Sequence, residues 1–140
     1  MSASTATRTP LSAARLASLL LPPVLVMAGI FFLSAQPSSG DHGTFDLLVR
    51  KLGHVTEYAV LTLCWWRALR GLGAARDGRT AIVLAVAIAL AFSISDEFHQ
   101  TFVDGRHGTP VDILIDGIGI SLAALYARRR TLGPSRPSAA

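Results

Sequence analysis

Apolar residues gather into four stretches along this chain, and the polar residues between them are bunched at the ends of those stretches. The first stretch, Leu16 to Leu33, comes close to the roughly 20 residues a helix needs to cross a hydrocarbon core. Pro22 and Pro23 lie inside it and predict a kink or a shortened first turn. A loop rich in Ser, Gly and Asp follows, from Ser34 to roughly Val49. The second stretch opens near Lys51 and continues through Trp65 and Trp66, a pair suited to an interfacial aromatic belt. Arg67, Arg70, Arg76 and Arg79 mark the next loop, with Gly71, Gly73 and Gly78 as breakers. The third stretch, Thr80 to Ile94, is the most uniformly apolar and offers no polar stripe. It runs straight into Asp96-Glu97-Phe98-His99-Gln100. Gly105, Gly108 and Pro110 make Val103 to Pro110 a turn or re-entrant loop. The fourth stretch, Val111 to Ala127, carries Asp112 and Asp116 on one helical face. Gly119 and Ala123 continue that stripe and would let a neighbouring helix come close. The expected organisation is a segment 1–15, a four-helix domain 16–127 and a disordered basic tail 128–140.

Composition sharpens this picture. The 140 residues allow one domain and are 51% hydrophobic, with a mean hydropathy of +0.46. A soluble domain of this size would intersperse charges of both signs over its surface, which this chain does not do. The isoelectric point of about 10.2 raises nucleic acid as a partner. The basic residues, however, flank apolar stretches and form no aromatic-interleaved patch, so no nucleic-acid partner is expected. Cys64 has no second cysteine with which to form a disulfide or a metal site. Arg8 and Arg15 precede the first stretch as they would a signal peptide. That stretch is long for such a segment, and Leu33 stands where a cleavage site wants a small residue, so an uncleaved anchor is expected.

Charge also predicts topology. With four crossings, one side of the membrane receives Arg8, Arg15, Arg67, Arg70, Arg76, Arg79, Arg128, Arg129, Arg130 and Arg136 against one acid, Asp77. The other side receives Arg50, Lys51 and Arg106 against Asp41, Asp46, Glu57, Asp96, Glu97, Asp104, Asp112 and Asp116, together with all four histidines. The excess of cations on cytoplasmic loops makes this an all-α, integral membrane four-helix bundle with both termini cytoplasmic.

The outward polar set is the candidate site, because a charge within a membrane segment is costly unless it is paired, hydrated or used. His54, Glu57 and Tyr58 are spaced i, i+3, i+4 and share a helix face. His54, Glu57, Asp96, Glu97 and Asp116 are the candidate catalytic groups. Lys51, Tyr58, His99, Gln100, Arg106 and Asp112 are candidate ligand contacts. Three readings stay open. In a metal-dependent hydrolase or transferase, His54, Glu57, Asp96, Glu97, His99, Asp112 and Asp116 would supply nitrogen and oxygen donors, Glu97 or His99 a base and Arg106 an anion clamp. No HExxH or paired-cysteine signature identifies a metal, and no cofactor follows from the sequence. In a recognition protein, Arg50, Lys51 and Arg106 would grip a phosphate or carboxylate of an envelope lipid. In a purely structural arrangement, Asp112 and Asp116 would pair with Arg106 and Lys51, Tyr58 would anchor at the interface and Gln100 would satisfy backbone groups. Intramembrane polar contacts average only about 0.6 kcal/mol, which is a modest reason to keep so many. Transport is the weakest alternative, since one chain offers few helices and no inverted repeat.

The residues Lys51-Leu-Gly-His54-Val-Thr-Glu57-Tyr58, Asp96-Glu97-Phe-His99-Gln100, Gly105-Arg106 and Asp112-Ile-Leu-Ile-Asp116-Gly-Ile-Gly119, with Ser34-Ala35-Gln36-Pro37 before them, resemble the VanZ-like family. The resemblance runs from about Phe31 to Ala127, and its DE-x-x-Q, GR and DxxxD elements recur in order with similar spacing. It implies a small four-helix integral membrane protein; membrane lipids or envelope precursors are the partners expected from the recognition reading. It also implies a link to glycopeptide resistance, notably to teicoplanin, with which the family's namesake is associated. The chain departs from the family in having Val55 where an aromatic residue often follows the histidine, and in His107-Gly108-Thr109, where serine is common.

Overall fold

The computed structural model describes residues 11–37, 43–106 and 108–132, which form four helices: α1 (Ala13–Ser34), α2 (Thr44–Gly71), α3 (Gly78–Gln100) and α4 (Pro110–Leu132). The helices alternate in direction. The end of α1 meets the end of α3 through Ser34 and Asp96, and the start of α2 meets the start of α4 through Lys51 and Asp112. At the opposite end, Arg67 of α2 reaches Ser18 near the start of α1. The polar termini therefore collect at one end of the bundle.

Each helix begins and ends for a local reason. Ser12 caps α1 by accepting the Arg15 amide at 3.3 Å. Asp77 caps α3 by accepting the Thr80 amide at 2.7 Å. Pro110 takes the first position of α4, where a missing N–H costs nothing. Helix α2 stops at a Schellman-type turn: Gly73 has φ 64°, and the Ala74 amide donates to the Leu69 carbonyl at 3.1 Å. Helix α1 runs through Pro22 and Pro23 without a break. Pro22 cannot donate to the Ser18 carbonyl, and the Arg67 guanidinium donates to that oxygen instead, at 2.8 Å.

Two boundaries differ from expectation. Helix α2 begins at Thr44, so the residues expected to close the first loop are helical. Phe45, Leu48, Val49 and Leu52 recur at i, i+3, i+4, i+7, and all four are exposed. Helix α4 continues to Leu132, so Arg128, Arg129 and Arg130, expected in a tail, form its last turns. Cations there complement the negative end of the helix dipole. His42, Asp41 and His107, placed on the outward side by sequence, lie outside the described residues.

Small residues line the buried edges of two helices, beside a core that also holds Ile30, Tyr58, Leu61, Leu69 and Ile120. Ala81, Ala85, Ala89 and Ser93 line one buried edge of α3 at four-residue spacing, and Ala123 and Ala127 do the same on α4. Gly119, on the stripe read from the sequence, lies against the Val55 carbonyl of α2, where a Cβ would collide with that oxygen. Large apolar side chains instead cover the outside, among them Leu25, Phe32, Val83, Ile94, Phe98, Leu114 and Leu122. An apolar exterior over small-residue helix contacts suits a lipid solvent, in which helices gain by close approach. Three helices, α1, α3 and α4, are long and apolar enough to cross a membrane. Helix α2 packs against each of the other three.

Gly119→Ala is expected to destabilise the bundle by about 1–3 kcal/mol through overpacking. Gly117→Ala, whose Cβ meets nothing within 4 Å, leaves the unfolding midpoint in detergent unchanged or raised. Equal midpoints for the two variants would contradict this packing. At the other end, the Thr80 amide and hydroxyl hold the Asp77 carboxylate below its ordinary value of 3.8. A depressed acid adds stability that is complete above its unfolded value and fades as pH falls through the folded one. The stability gap between wild type and Asp77→Ala is therefore widest above about pH 4 and narrows below it, as chemical denaturation at a series of pH values would show.

Candidate functional site

Four helices deliver polar side chains to the end of the bundle opposite Asp77. Helix α3 contributes Ser93, Asp96, Glu97 and Gln100, spaced so that all four point inward, and all are buried. Helix α2 contributes Lys51, His54, Glu57 and Tyr58, α4 contributes Asp112 and Asp116, and α1 contributes Ser34. Burial is extreme for carboxylates: Asp116 is 0% exposed, Asp96 1% and Glu97 4%. Such groups are tolerated only where hydrogen bonds or cations replace water.

Asp116 is the best supplied. Its Oδ1 lies 2.9 Å from His54 Nδ1, and its Oδ2 accepts the Ser93 hydroxyl at 2.6 Å. Asp96 Oδ2 accepts from the Ser34 hydroxyl at 2.7 Å and from Gln100 Nε2 at 3.1 Å. Its Oδ1 is buried without a partner among the described residues. Glu97 Oε2 accepts the backbone amide of Thr109 at 2.9 Å. That amide belongs to the residue capping α4, whose hydroxyl in turn bonds Asp112 Oδ2 at 2.9 Å. Asp112 also pairs with Lys51, which is partly exposed at the rim. One donor atom each from His54, Glu97 and Asp116 lies within 4.8 Å of the other two, so of the seven residues proposed as metal donors the structure draws three this close. Glu57 is half-buried at the edge and makes no direct hydrogen bond among the described residues.

Four candidates take roles other than those expected. Tyr58 is no interfacial anchor: it is 0% exposed, packed with Ile30, Leu61, Ala89 and Ile120. Its hydroxyl has no partner among the described residues. Arg106 does not pair with Asp112 or Asp116. It donates from Nε to the Gln36 carbonyl at 2.8 Å and from Nη2 to the Leu33 carbonyl at 2.9 Å, closing the end of α1. Burial pulls its pKa down from the ordinary value, yet a guanidinium stays charged. His99 turns toward α1, its ring stacked on Phe31 with centroids 4.3 Å apart, and stands apart from the His54 group. Gln100 serves side chains rather than backbone, bridging toward Asp96.

Sequence reasoning missed Ser93 and Thr109. Ser93 lies three and four residues before Asp96 and Glu97, a spacing that would have placed it on their face. Thr109 precedes Pro110 and has an acid three residues on, which is the signal of a helix start.

Neither the curated proteins nor the solved structures gave a match to this chain. The family described as VanZ/LLP1 matches residues 9–131. That span holds all four helices apart from the final residue of α4, and every polar group brought together at the bundle end, so the chain belongs to the VanZ/LLP1 family.

Proposed function

We propose that this protein crosses the cell membrane four times with both termini in the cytoplasm. Its polar end faces the envelope, where it binds a lipid-linked envelope precursor and lowers glycopeptide access, as in teicoplanin resistance. The observation that carries the reading is convergence. Side chains from all four helices meet at one end of the bundle, while the arginines of the α2–α3 loop and the end of α4 occupy the other. Cations concentrate on cytoplasmic faces, which orients the polar end outward. Lys51 at the rim is the cation for a phosphate or carboxylate headgroup. Arg106, with two donors committed to the carbonyls of Leu33 in α1 and Gln36 just beyond it, positions the rim rather than grasping the ligand. The exposed Phe45, Leu48, Phe98, Phe102 and Leu114 surround that end with apolar surface suited to acyl chains.

The arrangement exceeds what stability requires. Intramembrane hydrogen bonds average about 0.6 kcal/mol, whereas breaking a buried charge pair by removing one partner costs about 3–5 kcal/mol. A bundle seeking only stability does better with apolar residues at Asp96, Glu97 and Asp116.

A second reading, hydrolysis or transfer at a lipid-linked phosphate or peptide, is favoured by the His54–Asp116 contact. A carboxylate on one imidazole nitrogen fixes the ring and its tautomer, preparing the other nitrogen as a general base.

Teicoplanin susceptibility of a sensitive host separates these roles, with wild type and Glu97→Gln expressed at matched membrane levels. Protection by wild type that falls in the variant is expected. Absence of protection from wild type overturns the envelope reading, and equal protection from both removes Glu97 from it. Turnover of a lipid-linked phosphate by purified protein, reduced about 10²–10⁴-fold by His54→Asn, is the mark of the second reading.

A further inference from the structure

Three nearly inaccessible carboxylates share one end of this bundle, and an imidazole stands against one of them. His54 touches Asp116. Lys51 is engaged with Asp112, and Arg106 with backbone carbonyls. Buried acids in this condition are either protonated or hold a metal ion.

The finer geometry distinguishes these cases. Asp116 commits Oδ2 to Ser93, leaving Oδ1 turned to His54. Glu97 commits Oε2 to the Thr109 amide; its Oε1 has only a 3.5 Å approach from Gln100 Nε2, too long for a full bond. Each acid thus has one oxygen held by a fixed outer donor and one left for the centre. Metal ligands are oriented in this way, by outer hydrogen bonds that set the carboxylate angle. His54 Nδ1 and Asp116 Oδ1 are 2.9 Å apart. Two donors bound to zinc at about 2.1 Å and at the tetrahedral angle would stand about 3.4 Å apart, so this hydrogen-bonded pair has to open by about half an ångström to admit the ion. The Glu97 donor lies within 4.8 Å of both.

A further unpartnered polar group is buried on the His54 face of α2. Tyr58 follows His54 by one helical turn and is wholly buried. Its unpartnered hydroxyl lies in the field of Asp96, Asp116, Glu97 and Glu57. A phenol there can donate to an ion-bound water, for which the described side chains provide no substitute.

We propose that His54, Glu97 and Asp116 form a binding site for one divalent transition-metal ion, zinc or manganese, through one imidazole nitrogen and two carboxylate oxygens. The mixed donor set decides the class: imidazole suits transition ions and disfavours magnesium and calcium, which take oxygen cages. Two carboxylates balance the charge of a divalent ion, which a buried site requires. Partly exposed His54 provides the route of entry. Three protein ligands leave coordination positions open for water or an anionic headgroup. The site stands on geometry alone and does not depend on the envelope reading.

The test uses the full chain in detergent, stripped with a chelator and dialysed against Zn²⁺, Mn²⁺, Mg²⁺ or Ca²⁺. Wild type is expected to retain one equivalent of zinc or manganese and to bind magnesium and calcium far more weakly. Asp116→Asn and His54→Gln abolish retention, Ser93→Ala weakens it about 10–100-fold as loss of an outer orienting bond does, and Asp77→Asn at the far end leaves it intact. Should the buried variants misfold, Co²⁺ added to wild type reports directly, through the visible spectrum of a nitrogen- and oxygen-ligated ion. Retention that survives Asp116→Asn, equal uptake of calcium, or an unchanged cobalt spectrum would each overturn the proposal. Because no envelope component enters this experiment, its failure leaves the teicoplanin result to stand or fall separately.

Discussion

Asp116 has no exposed surface, yet three helices meet at its carboxylate: its own α4, α2 through His54 and α3 through Ser93. A buried carboxylate must be held from more than one side, because losing either partner strands a charge away from water. Much of the bundle follows from satisfying this requirement. Helix α4 has to approach α2 closely enough for His54 to reach, and Gly119 permits it by resting on the Val55 backbone. Helix α3 has to approach α4, and its alanine edge ends in the serine that makes the contact. Small residues and the acid are parts of one packing solution.

The same demand recurs along the backbone. In a lipid surrounding, an open carbonyl has no water to turn to. Pro22 opens one at Ser18, and Arg67 closes it. The end of α1 opens others at Leu33 and Gln36, and Arg106 closes those. The free amide at the start of α4 goes to Glu97. Arg106, which looks available for anions in the sequence, is thus used as a donor at the end of α1. Glu97 couples a helix start to the polar centre, so displacement of its carboxylate would be felt in the α3–α4 turn.

Membership of the VanZ/LLP1 family and an exterior of large apolar side chains agree on a protein suited to a bilayer. Stability alone is a poor reason for the centre, since buried ion pairs commonly gain little over apolar packing. The buried acids gather at one end of the bundle and do not spread along it.

Much of this was legible in the chain. The four helices, the gathering of His54, Glu57, Asp96, Glu97, Asp112 and Asp116 at one end, and the small stripe through Gly119 follow from periodicity and hydropathy, which depend on near neighbours. The helical start at Thr44 was obscured because its stripe faces no other helix, and short-range polarity read as loop. Which donor meets which acceptor was not legible. Lys51 with Asp112, His54 with Asp116, Arg106 on carbonyls and His99 on Phe31 all join residues distant in sequence, and the rotations of the helices decide among equally plausible pairs. That a polar centre exists follows from the order of residues, because apolar stretches leave so many charges only their ends to occupy. Which atoms face it follows from packing, because burial and reach belong to packed helices and not to their order along the chain.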